Sequence, residues 1–264
     1  MAYVAGLALL SLGVAFAEAL RPWRRDQARL RPRLLTDVAF LIVNGHFLGV
    51  VLFAVSSRFV LPPLDRALHA AGLHAYVYRN VAAAWPLWAQ LFVLIVGFDL
   101  VQWAIHRLLH AVPWLWRFHQ VHHSVVDGEM DWIVSFRFHW AEAVVYKSLQ
   151  YLPLAFFGFS ATAVLVQALV GTAMGHLNHA NLDLGHGRWR YVLNSPRMHL
   201  WHHAAGVPPR NFGIIFSIWD WLFGTAYLPA SPPARLGFDG DDVLPGGFLA
   251  LSAWPVQRLH RDRP

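Results

Sequence analysis

Apolar and polar positions fall in long blocks along this chain. Residues 1–20 are apolar apart from Glu18 and long enough to cross a hydrocarbon core of ~30 Å at ~1.5 Å per residue. Arg21, Arg24, Arg25, Arg29, Arg31 and Arg33 follow this run, whereas a cleaved signal would put basic residues before it, so a retained first span is expected. The positive-inside rule then places residues 21–35 in the cytoplasm. A second run, Val38 to Leu61, is expected to stop at Pro62 and Pro63 and to leave 64–82 as an outer loop. A third, Ala83 to Ile105, carries Trp85, Trp88 and Trp103 near its ends, as interfacial belts do, and returns the chain to the cytoplasmic face at His106.

The block Ala143 to Gly175 is too long for one upright span and short for two. Pro153 and Gly158 lie near its middle, so a hairpin of two short helices, 143–157 and 159–175, is expected. Residues 176–228 are richer in His, Arg, Asn, Pro and Gly, and 229–245 reads as exposed and loosely structured, opening a tail over 229–264. The expected fold is all-α: a polytopic membrane protein of about four or five transmembrane or re-entrant helices with a cytoplasmic, helical, histidine-rich cap. Its parts are N-terminal spans and loops over 1–94, a central unit over 95–228 that includes the hairpin, and the tail.

Composition agrees with the blocks. Of 264 residues 56% are hydrophobic and 14% charged, and mean hydropathy is +0.39, which excludes a disordered chain and argues against an ordinary soluble enzyme. Cysteine is absent, so disulfides, thiolate zinc sites and cysteine-held iron–sulfur clusters drop out, and any metal is held by nitrogen or oxygen. A net charge of +6 does not point to nucleic acid, because the basic residues bracket apolar runs and do not interleave with aromatics in one patch. All of them but Lys147 are arginine, a bias that fits a GC-rich bacterial genome and so a bacterial cell membrane, while the positive-inside rule sets the histidines on its cytoplasmic side.

Sixteen histidines in so apolar a chain are the second anomaly, since an imidazole that is neither ligating, paired nor hydrated is costly to bury. His106 and His110 share one helix face at i, i+4, and Asp99 lies on the same stripe, where it can ligate a metal or orient a ligand. HQVHH over 119–123 and HLWHH over 199–203 each set three imidazoles at i, i+3, i+4, and His176 and His179 add a further pair. One such pair is common in ordinary helices; the same triple twice is not what random placement produces. Nine or ten imidazoles exceed what one tetrahedral zinc ion uses, so two metals are implied. Imidazole by itself does not choose among iron, zinc, copper and nickel. A shared site also requires 106–123 and 176–203 to lie on one side of the bilayer, which a hairpin at 143–175 satisfies and a single span does not.

Over roughly residues 95–228 the chain resembles the fatty acid hydroxylase and sterol desaturase superfamily of integral-membrane, histidine-rich di-iron enzymes. The resemblance lies in HRLLH at 106–110, HQVHHS at 119–124, HANL at 179–182, NSPRMHLWHH at 194–203 and the closing NFGIIFSIWDWLFGT at 211–225. It implies His106, His110, His119, His122, His123, His179, His199, His202 and His203 as ligands of two iron ions (Fe2+/Fe3+), with His176 as a tenth. The superfamily's His-Pro-x-Glu becomes His139, Trp140, Ala141 and Glu142, without the proline, which leaves His139 between ligand and supporting roles. Asp99, Asn181 and Asp220 are implied as supporting or structural groups.

The resemblance further implies O2 as co-substrate and hydroxylation or desaturation of an unactivated C–H position in a lipid drawn from the bilayer. The chain has no Gly-rich dinucleotide fingerprint and no cysteine, so a separate electron-donor protein is expected, for which Arg107, Arg117, Arg188, Arg190 and Arg197 offer charge. The alternative is a non-catalytic metal-binding or metal-transport membrane protein, which would set its ligands inside the spans and not at their ends. His46 reads as a packed bystander, His69, His74 and His260 as solvated ones, and His186 as part of a turn. No substrate contacts are assigned.

Overall fold

The computed structural model describes residues 2–125, 130–185, 187–240 and 242–261. His186 therefore lies outside the described residues, as does the side chain of His260. The described residues are mostly helical and contain no strand, only the isolated bridges Pro22–Leu182, Leu193–Phe216 and Ala204–Leu236. Helix α1 (Ala2–Leu20) is apolar but short of the length of α2 (Leu34–Ala70) and α3 (Leu87–Ala111), which are long and apolar enough to cross a bilayer. Their most apolar stretches have mean hydropathies of 2.3 and 1.6 and keep most of their residues on the outside of the protein. Ile42, Phe53, Phe59 and Phe92 all face outward, a surface that hydrocarbon accommodates and water does not.

Pro62 and Pro63 do not end α2 as expected. A wide π-type turn over Ser56–Val60 precedes them, with the Leu61 N–H reaching back to the Ser56 carbonyl, and the helix resumes with both prolines in its first turn. Proline has no N–H to lose there, so residues 64–70 are helix and not loop. A similar wide turn over Leu41–Phe47 brings Asn44 to the Phe138 carbonyl at 2.5 Å and Gly45 against the Phe136 ring, where a Cβ would lie 2.6 Å from Cδ1.

After α3, Val112 is extended and Pro113 opens α4 (Pro113–His119). Helices α5 (Trp140–Phe157) and α6 (Ala161–His179) form the expected pair, but the break falls at Gly158, with φ 72°, and the helix runs through position 153. His139 and Glu142 make a capping box at the start of α5, and Ser160 accepts the Ala163 N–H at 3.2 Å to start α6. Helix α6 is the central post: α1, α3, α7 (Pro196–His202) and the tight turn Trp132–Phe136 all pack on it. The short helix α8 (Ile218–Leu222) closes the histidine-rich half.

The described residues of 229–245, expected to be exposed and loosely structured, and those of the helix after them are packed: Leu236 lies with Val125, Met130, Val134 and Leu200, while Leu244, Leu251 and Trp254 pack with Phe40 and Val121. Leu251 and Trp254 share one face of α9 (Phe248–Arg261), an apolar stripe overshadowed by the Pro- and Gly-rich stretch before it. Arg31, one of the six arginines that follow the first apolar run, is buried. It pairs with Asp37 and Asp131 at 2.6 Å each, and Asp37 also takes Arg137, the largest fully buried side chain, at 2.6 Å.

Candidate metal centre

Helix α3 delivers His106 and His110, the end of α4 and its following turn deliver His119, His122 and His123, α6 delivers His179, and α7 with its cap delivers His199, His202 and His203. They meet in two adjoining groups. One holds His106, His110, His119, His123 and His202; the other holds His122, His179, His199 and His203, and within each group the ligand nitrogens lie within 4.8 Å of one another. The groups touch where the His123 and His203 rings stack at 4.3 Å. Nine imidazoles from four stretches of chain are thus packed together, eight of them buried.

Five rings have their Nδ1 set by an oxygen acceptor. His106 donates to the Phe212 carbonyl at 2.9 Å, His119 to Glu142 Oε2 at 2.7 Å, and His122 to the Arg137 carbonyl at 3.0 Å. His179 donates to the Gly175 carbonyl at 2.8 Å and His202 to the Arg210 carbonyl at 2.7 Å. Each of these rings therefore turns an Nε2 lone pair inward. The inward atoms crowd: His106 and His119 Nε2 are 3.1 Å apart, His122 and His179 3.1 Å, His123 and His202 3.0 Å, and His179 and His199 3.0 Å. Facing lone pairs repel unless a cation lies between them. Two nitrogens each ~2.1 Å from one metal ion and at right angles to each other are ~3.0 Å apart. His110 Nε2, His199 Nδ1 and both nitrogens of His203 are buried with no hydrogen-bond partner. The donor set fits metal ions held by neutral imidazole.

Burial favours the neutral, ligating form as well. Desolvation first, and neighbouring imidazoles second, push His119, His122, His123, His199, His202 and His203 well below the usual histidine value.

The remaining sequence candidates lie around these groups and not in them. His176 sits in neither: its Nδ1 is 2.9 Å from Ser135 Oγ and its Nε2 3.1 Å from Ser11 Oγ, so both nitrogens are engaged. His139 lies in neither group and caps α5, its Nδ1 accepting the Ala141 N–H and its Nε2 bonding the Ser252 carbonyl at 2.8 Å. Asp99 orients no imidazole; its oxygens accept the Ile215 and Phe216 N–H groups at 2.7 and 2.9 Å and Trp219 Nε1–H at 2.9 Å. Asp220 accepts Trp103 Nε1–H, the Phe212 and Gly213 N–H groups and the Thr225 hydroxyl, so it fixes the carbonyl that orients His106. Asn181 pairs with the Arg24 backbone in both directions and fastens the N-terminal loop to the end of α6. Glu142 has no role expected from the sequence, because the capping box it closes starts from His139 and not from the usual Ser or Thr. His69 and His74, expected to be solvated, stack on one another at 3.8 Å near the surface beside Asp65.

A cavity of about 250 Å³ adjoins both groups, reaching His106, His119, His122 and His179 from between α2, α3, α5 and α6. Ala168, Gly171 and Gly175 make room for it on α6, because none fills the space beside the helix. A second cavity of about 240 Å³ reaches His110, His123 and His202 from the loops around Val207 and Phe238.

The profile of the fatty acid hydroxylase family matches residues 91–225. Ornithine lipid hydroxylase OlsE of Rhizobium tropici is 28% identical over 251 residues, covering 94% of this chain and 73% of that protein. Alkylglycerol monooxygenase of Danio rerio is 28% identical over 243 residues, 86% of this chain and 49% of that protein. Cholesterol 25-hydroxylase-like protein 2 of Danio rerio is 26% identical over 204 residues, 72% and 64% respectively. The chain thus spans most of the bacterial relative but less than two thirds of these two animal ones. No solved structure matches. The motifs, the gathered imidazoles and a profile match over half the chain together place the protein in the fatty acid hydroxylase and sterol desaturase superfamily, a family of oxidoreductases.

Proposed function

We propose that the protein is a membrane lipid hydroxylase whose nine clustered histidines hold two iron ions and which inserts one oxygen atom of O2 into an unactivated C–H bond. The overall balance is R–H + O2 + two electrons + two protons giving R–OH + H2O. Bound iron supplies the one-electron chemistry with O2 that such a bond requires and that no side chain can perform. The observation that carries this reading is the pair of adjoining imidazole groups open to one cavity. Relatives named as hydroxylases and monooxygenases favour hydroxylation over desaturation.

The chain's own residues supply position and exclusion. Carbonyls of Phe212, Arg137, Gly175 and Arg210, and the Glu142 carboxylate, hold five rings with Nε2 inward. The cavity lies between two candidate spans and the α5–α6 hairpin, so a lipid can reach it sideways from hydrocarbon without crossing water. The arginines of the N-terminal loop orient the histidine-rich half toward the cytoplasm of a bacterial cell membrane. Electrons arrive from a separate protein, docking at the exposed Arg188 and Arg190.

Lipid profiling of cells with and without the gene, together with metal analysis of the purified protein, tests the reading. A lipid gaining the mass of one oxygen and two irons per chain are expected; stoichiometric zinc with an unchanged lipid profile would point to a non-catalytic metal protein instead.

A further inference from the structure

The two cavities that reach the imidazoles differ in character. Among the described residues, none that lines the first is exposed, and that cavity lies between helices that face hydrocarbon. The second, of about 240 Å³, touches His110, His123 and His202 and is walled by loop residues outside the candidate spans, of which Pro209 and Asp239 are exposed. His110, alone of the nine in not being buried, lies on its wall. None of His122, His179, His199 and His203 does.

The mouth of the second cavity is a framed opening. The Ala205 N–H donates to the Arg235 carbonyl at 3.0 Å and the Gly237 N–H to the His203 carbonyl at 2.8 Å, around the bridge between Ala204 and Leu236. Asp239 Oδ2 accepts the Gly206 N–H at 2.7 Å, which fastens the loop that carries Val207 to the one that carries Phe238. Gly237, at φ 115°, lets the second loop pack where a Cβ would lie 2.9 Å from the Val125 carbonyl oxygen. A divalent cation comes to these rings from water, because hydrocarbon offers nothing in place of its hydration shell. The first cavity therefore suits a lipid and not an ion, whereas the second runs from an exposed carboxylate to imidazole nitrogens.

Resting on the reading that the nine histidines hold iron, we infer that the metal enters the folded chain as a divalent cation through the second cavity, past Val207 and Asp239, and meets His110, His123 and His202 before any other ligand. Metal and lipid thus use separate entrances, one wet and one apolar.

The chain has no cysteine, so Val207→Cys sets a single thiol at the mouth. The full-length variant, folded in micelles and metal-free, is capped there with benzyl methanethiosulfonate. Uptake of cobalt(II), which stands in for iron(II) and gains visible absorption when imidazoles bind it, is followed by stopped flow. The cap is expected to slow uptake at least ~10-fold, because the ion then waits for a local opening of the loops, and to leave the final amount bound unchanged. Removing the cap with a thiol should restore the rate. The same cap on Leu222→Cys, at an exposed position that lines neither cavity, should change nothing. Ala168→Leu, which narrows the first cavity, should not slow uptake either. Uptake as fast with the Val207→Cys cap as without it overturns the inference. So does equal slowing by Ala168→Leu, and so does a folded metal-free chain that takes up no cobalt, since loading would then belong to folding. Because uptake is read without turnover, gated entry in a protein that oxidises no lipid removes the hydroxylase reading and leaves the route standing; ungated uptake by an active hydroxylase does the reverse.

Discussion

At the scale of single residues, the centre depends on imidazoles kept neutral and aimed. His122→Ala or His202→Ala should each abolish activity and lower bound iron while the protein still inserts; metal content unchanged in both variants would remove the site. His69→Ala, at a side chain 61% exposed and far from either group in sequence, should change neither metal content nor activity. Glu142 acts through His119, so Glu142→Leu should weaken metal binding by ~10- to 100-fold. Glu142→Gln keeps an oxygen that can accept the same bond and should recover most of the loss; a titration in which Glu142→Leu binds metal as tightly as the wild type would show that Glu142 does not act through His119. Acid should also unfold the metal-free protein. The six histidines outside the spans have folded-state values well below the ordinary 6.5, so the unfolded chain takes up protons first. Their contribution is fully present above about pH 6.5 and is lost progressively as pH falls below it, which a series of thermal melts on chelator-treated protein would detect as a falling midpoint.

At the scale of elements, the helices are placed by a few special positions. Gly158 turns α5 into α6 in a conformation that costs other residues about 1–2 kcal/mol, and a Cβ there would press on Asn80. Gly158→Ala should therefore lower stability by at least that much while metal stoichiometry stays the same in the folded fraction. Asp37 holds the start of α2 against Arg137, whose carbonyl orients His122. Asp37→Ala leaves a buried guanidinium without its partner, at a cost of roughly 3–5 kcal/mol. The helices and the hairpin are legible in the sequence because apolar runs and left-handed glycines act locally. The end of α2 is not: whether proline stops a helix depends on the turn before it, and the wide turn at Ser56–Val60 has no pattern of its own. Nor is the tail, where turn-rich composition hides the apolar stripe that α9 buries.

At the scale of the whole molecule, the sequence by itself determined that the chain is helical and that its longest helices face hydrocarbon, and its motifs named ten imidazoles, His176 among them, as candidates to share metal. The first two follow from transfer free energy residue by residue and from the 3.6-residue turn, both of which act within one stretch of chain. The division of the nine into five and four belongs to the tertiary structure, because His122 and His123 are adjacent in sequence yet their rings diverge by 85° into different groups. So does the exclusion of His176, whose spacing from His179 suits a ligand but whose ring is captured by hydroxyls 41 and 165 residues away. The roles of Asp99 and Asp220, which brace a loop more than a hundred residues from α3, and the two cavities that reach the nine are of the same kind. Local spacing says which face of a helix a side chain occupies; only the packing of one helix on another says what that face meets.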